Sequence, residues 1–337
     1  MINNNKIKLK EFDYLRAIGI FLVVLGHSFP YIDEISSPFF KYIHSIIYSF
    51  HMPLFFLISG FFAYKILFIK RFKDYKSFIV SKFKRLIIPY LTISFITIPI
   101  KFILNRFSER SISDSNVFID IFLYPWNNPI IFFWFIYVLF LIFLFSPLIV
   151  KLNKYIVLSL FFILSIIPIK NIQFLGISTI FSYSIYFFIG LYIREIYITN
   201  RDKILNFKPT ILYSFLYVLI PFIIFILNIP TSIKAGMFFK ALLGIYMSFV
   251  LCVFIYNCKN NKYLKNTLNS LSYYSFDIYL LSWFPQIFAR VLFYQVLKLD
   301  YTLVVLFSLI LGFTPILASK YILRKFPITK ILFLGIK

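Results

Sequence analysis

The chain has 337 residues, 61% of them hydrophobic and only 14% charged, with a mean hydropathy of +0.87. That balance excludes a water-soluble globular domain. Phe contributes 47 residues and Tyr 25 against only 9 Gly, which excludes collagen-like, linker-like and disordered readings. The 35 Lys and Arg against 12 Asp and Glu leave a net charge of +23; because the basic residues gather in alternate loops, they read as a membrane-topology signal and no nucleic-acid partner is expected.

Taken in chain order, stretches of about 20 apolar residues predict spans at 12–30, 43–64, 86–104, 129–150, 155–169, 178–197, 210–229, 236–256, 268–290 and 302–322. The expectation is an all-α, polytopic integral membrane protein of about ten transmembrane helices, a single domain over residues 1–337 with no appended soluble domain. Lys6, Lys8 and Lys10 join the dense basic run from Lys65 to Arg85 and the basic C-terminal tail on one side, which sets both termini inside. The first apolar stretch is too long for a signal-peptide core and lacks a small-residue cleavage site, so it is read as a retained helix. The insert Asn105 to Asn128 on the outer side is expected to lie along the membrane surface through Phe118 to Trp126. Cys252 and Cys258 fall on different helix faces without a Cys or His cluster, and no metal is expected.

Ionisable residues within the spans are costly in a bilayer and are functional candidates for that reason. On the first helix Asp13, Arg16 and His27 share one stripe, since eleven residues at about 100° each bring His27 to within about 20° of Arg16. About 16 Å of rise separates these two, so they line one path without touching. Gly19 and Gly26 on a neighbouring face allow a second helix to pack close. Asp13 and Arg16 also admit a purely structural i,i+3 ion pair, and His27 a satisfied interior histidine. His44 and His51 are seven apart and roughly co-facial on the second helix. Asp277, inside the ninth span, must be protonated, paired or lining a cavity, and Arg290 is read as an outer anchor. Ser59 beside Gly60 lacks a GxSxG context and is read as a packing pair rather than an acyl carrier. With aromatics at 22% of the chain, Trp134, Tyr186 and Tyr279 receive no assignment.

Three blocks in order carry a resemblance. Phe12-Asp13-Tyr14-Leu15-Arg16 running to Leu25-Gly26-His27 resembles the Arg, ten residues, His motif of the acyltransferase family 3 membrane proteins. Ser49-Phe50-His51-Met52-Pro53-Leu54-Phe55-Phe56-Leu57-Ile58-Ser59-Gly60 is similar to the next block of that family, and Lys82-Phe83-Lys84-Arg85-Leu86-Ile87-Ile88-Pro89-Tyr90 to its basic stretch before the third helix. Weaker similarities at Phe133 to Ile136, Tyr186 to Gly190 and Tyr274 to Leu281 extend it over nearly the whole chain. Ser282 stands near a position where the family often has histidine.

The resemblance implies a membrane O-acyltransferase that moves an acyl group, most often acetyl from acetyl-CoA, to a hydroxyl of a cell-envelope sugar or lipid-linked precursor. His27 is then the candidate general base, since imidazole titrates near neutrality, with Arg16 and Asp13 completing the catalytic set. Arg16, Arg85, Lys82 and Lys84 are candidates for the anionic end of the donor, although the basic loop is equally a topology determinant or a contact to membrane lipid. His51 and Asp277 are candidates for the acyl channel or acceptor cavity, with a core role equally open for His51. The Lys, Ile, Asn and Phe abundance points to a bacterial inner or plasma membrane. The competing reading is a polysaccharide flippase or polymerase acting on lipid-linked sugars, from which dependence on acyl-CoA discriminates.

Overall fold

The computed structural model describes residues 8–30, 37–103, 105, 116–167, 172–206, 234–258 and 261–336. Among these residues nearly every segment is helical and none is a strand, which keeps backbone hydrogen bonds within each segment, as hydrocarbon surroundings require. The helices are α1 (Lys10–Gly26), α2 (Pro38–Phe62), α3 (Phe72–Lys82), α4 (Ile88–Ile103), α5 (Val117–Leu123), α6 (Trp134–Ile149), α7 (Lys154–Ile166) and α8 (Ile177–Asn206). They continue with α9 (Lys234–Asn257), α10 (Lys262–Tyr273), α11 (Ser275–Leu281), α12 (Trp283–Ala289), α13 (Tyr301–Leu311), α14 (Pro315–Ala318) and α15 (Pro327–Leu334).

Among the described residues six helical runs are long and apolar enough to cross a membrane: Pro38–Phe68, Phe72–Ile103, Ile131–Ile149, Phe174–Asn206, Lys234–Asn257 and Tyr301–Leu323. Each overlaps an expected span. The first expected span is α1, with 17 residues, and the fifth is the shorter α7, with 13. The ninth is interrupted at Tyr274 and Ser282 into α10, α11 and α12, and the seventh, 210–229, lies outside the described residues.

Helix α1 is the centre of the bundle. It is apolar on most of its circumference, the pattern of a helix enclosed by others, and Tyr14, Leu15, Ala17, Ile20, Val23 and Val24 are no more than 2% exposed. It packs against α2, α9, α10 and α11. Helices α2 and α8 approach closely, each offering a glycine to the other's backbone. A Cβ on Gly60 would stand 1.8 Å from the Phe187 carbonyl oxygen, and one on Gly190 2.0 Å from that of Leu57. Small residues are how membrane helices reach such contact.

Two expectations are revised by the fold. Part of the basic run before the third span is a helix, α3, none of whose residues is buried. It passes through a π-helical turn, Phe83–Ile87, directly into α4. Of the outer insert, residues 106–115 lie outside the described residues, while Phe118 and Phe122 in α5 are exposed and Val117 and Ile121 are buried. Trp126 turns inward instead of lying on the surface: it stacks on Trp134 at 4.7 Å. Its indole N–H donates to Thr179 Oγ1 at 2.9 Å.

Candidate active site: two cavities along the first helix

The stripe on α1 opens into two separate cavities, one toward each end. At the Arg16 end lies a cavity of about 790 Å³ lined by Lys8, Lys10, Arg16, Lys82 and Arg85, with Asp13 the one carboxylate among its lining residues. Asp13 accepts from Arg16 Nη1 at 3.2 Å, so the i,i+3 pair exists and also borders the cavity. The cationic heads are laid over aromatic faces. Arg16 sits 4.2 Å from the Phe62 ring centre, Lys82 4.0 Å from Phe143 and Arg85 4.2 Å from Phe276. Such contacts hold charged groups in place with part of their hydration removed. Arg85 also donates to the Leu334 carbonyl at the end of α15.

Lys82 and Arg85 share a face because they are three apart. Lys84, about 200° around from Lys82, is exposed and is not among the cavity residues; the geometry separates it from the group to which the sequence assigned it.

At the His27 end lies a cavity of about 470 Å³. His27 ends α1 as its C-terminal cap, and its ring packs 4.7 Å from that of Phe132. His51 joins it from α2, with Nδ1 2.6 Å from the Ile47 carbonyl oxygen. The expected role of the small residues on α1 holds at both positions: Phe55 and Leu54 fill the space at Gly19, and Ile47 and Tyr48 the space at Gly26. All three tryptophans of the chain, Trp126, Trp134 and Trp283, line this one cavity. So do Lys101, Arg290 and Gln286, so Arg290 borders the site and is more than an anchor. The Gln286 side chain is tied to α1, donating from Nε2 to the Val24 carbonyl at 2.8 Å and to Ser28 Oγ at 3.1 Å.

Between the cavities stand Phe132, Phe135 and Tyr279. The Tyr279 ring is 5.6 Å from each of the two phenylalanines, and its hydroxyl donates to the Phe132 carbonyl. Tyr279 lines the first cavity and Phe132 the second.

Asp277 lines neither cavity. It is fully buried and paired, accepting from Arg324 Nη2 at 2.6 Å and Nε at 3.0 Å and from Ser319 Oγ at 2.5 Å. Of the three alternatives open in the sequence the structure selects pairing. A second buried pair, Glu11 with Arg201 at 2.8 and 2.9 Å, joined by Tyr197 at 2.7 Å, fastens α1 to α8. Ser59 borders the cationic cavity, while Gly60 beside it makes the contact to α8. Ser282 is 1% exposed at the junction of α11 and α12.

Helices of membrane-spanning length around an interior lined with cations and histidines define an integral membrane protein with an internal polar site. The chain belongs to acyltransferase family 3: the family's acyltransferase domain matches residues 9–320. No curated protein and no solved structure matches it. It is a membrane acyltransferase, and apart from Lys8 the residues lining both cavities lie within the matched region.

Proposed function

We propose that this protein is an O-acyltransferase of a bacterial cell membrane, with its N-terminal, basic side facing the cytoplasm, that moves an acetyl group from acetyl-CoA to a hydroxyl of a cell-envelope sugar or its lipid-linked precursor. The observation that carries the reading is the division of α1 between a cation-lined cavity at Arg16 and a histidine- and tryptophan-lined cavity at His27. Five cations against one carboxylate suit the phosphates of a CoA donor. Indole faces suit a sugar ring, which presents C–H groups on one side and hydroxyls at its rim.

A sugar hydroxyl needs a base to attack a thioester near neutral pH, and His27 stands where that hydroxyl would be held. The hydroxyl proton passes to the imidazole as the oxygen forms its bond to the acyl carbon. The carbon–sulfur bond then breaks, and the sulfur takes the proton back from the imidazolium, so that the products are the sugar ester and free CoA. Arg16 and Arg85, with Lys82, hold the donor. Since His27 lies about 16 Å along α1 from Arg16, the thin pantetheine arm has to pass between the cavities, where Phe135 and Tyr279 stand.

The test is ester analysis of envelope glycans from cells carrying the wild-type chain, His27→Ala, or neither. Loss of ester-linked acetyl in the latter two, with His27→Ala still inserted in the membrane, supports the reading. Acetylation retained in His27→Ala removes the base from the mechanism. Glycan length or export altered without any change in acylation favours a polymerase or flippase.

A further inference from the structure

The His27 cavity holds a residue that the sequence did not single out. Tyr48 of α2 reaches across to the end of α1, where its hydroxyl lies 3.4 Å from His27 Nδ1 and 3.5 Å from the Gly26 carbonyl oxygen. Its ring is stacked on His44, centres 4.0 Å apart and planes at 26°, and its edge meets His51 at 4.9 Å. The missing side chain of Gly26 makes the approach possible, since a Cβ there would stand 3.2 Å from Tyr48 Cε2.

We infer that Tyr48 is a positioning residue that fixes the tautomer of His27, keeping the proton on Nδ1 so that Nε2 presents its lone pair to the cavity. The inference rests on the acyltransferase reading above and specifies how its base is prepared. A neutral imidazole carries one N–H, and only the nitrogen without it accepts a proton. The Gly26 carbonyl can only accept, and a Tyr48 hydroxyl hydrogen directed to it leaves the hydroxyl oxygen as the acceptor facing Nδ1, which is the arrangement that places the imidazole proton on Nδ1. A histidine whose second nitrogen is held by an oxygen acceptor is the arrangement by which such bases are oriented.

His51 supplies an internal comparison. Its Nδ1 is 2.6 Å from the Ile47 carbonyl oxygen, a group that cannot donate, so the proton is on Nδ1 and Nε2 is the acceptor without help from Tyr48. The two histidines of the cavity therefore have the same tautomer, one fixed by backbone and the other by a side chain that can be removed.

With only three histidines in the chain, ¹⁵N solid-state NMR of histidine-labelled protein in lipid bilayers resolves the question, with His27→Gln identifying the His27 signals. The expected result is protonated Nδ1 and unprotonated Nε2 for both His27 and His51. In Tyr48→Phe the His27 proton moves in large part to Nε2, while His51 is unchanged; Gly26→Ala, which displaces Tyr48 with its hydroxyl intact, gives the same shift. In acetyl transfer, Tyr48→Phe lowers kcat by about tenfold or more, within the range a positioned base supplies, and leaves the KM for acetyl-CoA within about twofold. A wild-type His27 already protonated on Nε2, or a tautomer indifferent to Tyr48→Phe, overturns the inference. The NMR result requires no turnover, so it stands apart from any failure of the acyltransferase reading, which would show as no transfer by the wild-type protein.

Discussion

Asp277 shows how a residue's neighbours decide its role. A carboxylate at 0% exposure in the protein interior is sustained by Arg324 and Ser319, and Tyr273 accepts from the far side of the same guanidinium at 2.6 Å. Removing one partner of such a pair leaves the other charge buried and uncompensated, at a cost of about 3–5 kcal/mol. Asp277→Ala is therefore expected to lower the thermal midpoint of the purified protein by many degrees, and adding Arg324→Met to recover most of the loss. A double variant no more stable than Asp277→Ala would show that the pair is not the reason. By contrast, His27→Ala removes a side chain facing a cavity and is expected to act on turnover, by about 10²–10⁴-fold, with the melting midpoint nearly unchanged.

At the scale of elements, the contact between α2 and α8 fixes how the helix carrying His51 and Tyr48 is placed. Gly60→Ala and Gly190→Ala each force a methyl group into a backbone carbonyl, and overpacking of this kind costs about 1–3 kcal/mol or more. Both are expected to reduce folded protein in the membrane, measured as the fraction surviving detergent extraction as a monodisperse peak. Gly236→Ala, with nothing within 4 Å of its Cβ position, is the control and is expected to match wild type. Three π-helical turns fall beside polar clusters: Phe83–Ile87 carries Arg85, Arg290–Val296 begins at Arg290 in the His27 cavity, and Ser319–Leu323 begins at the serine bonded to Asp277. A local change of pitch reorients side chains at such points.

Helical angle and rise explain which parts of this were legible beforehand. The alignment of Arg16 with His27 and the close-packing face at Gly19 and Gly26 both follow from 100° and about 1.5 Å per residue. That arithmetic gives the face of a helix but not its neighbour. Hence Arg324, 47 residues from Asp277, Tyr48 opposite Gly26, and Trp126 and Trp283 in one cavity came only with the tertiary structure. Rarity was the unused signal: three tryptophans among so many aromatics mark positions where Phe or Tyr was not equivalent. The interruption at Ser282 was hidden because apolar residues flank it on both sides, Leu280 and Leu281 before it and Trp283 and Phe284 after it.

For the whole molecule, the central claim is a division of labour between the two ends of α1, with donor binding at Arg16 and the neighbouring Arg85 and proton transfer at His27. It is tested most directly by measuring bound and transferred acetyl in the same preparations, using radiolabelled acetyl-CoA with purified wild-type protein, Arg85→Gln and His27→Ala in lipid bilayers. The account predicts that His27→Ala binds acetyl-CoA with wild-type affinity and transfers essentially none, while Arg85→Gln binds it at least about tenfold more weakly, the loss of one charge-assisted contact. Transfer preserved in His27→Ala, or donor affinity lost there and retained in Arg85→Gln, would contradict it.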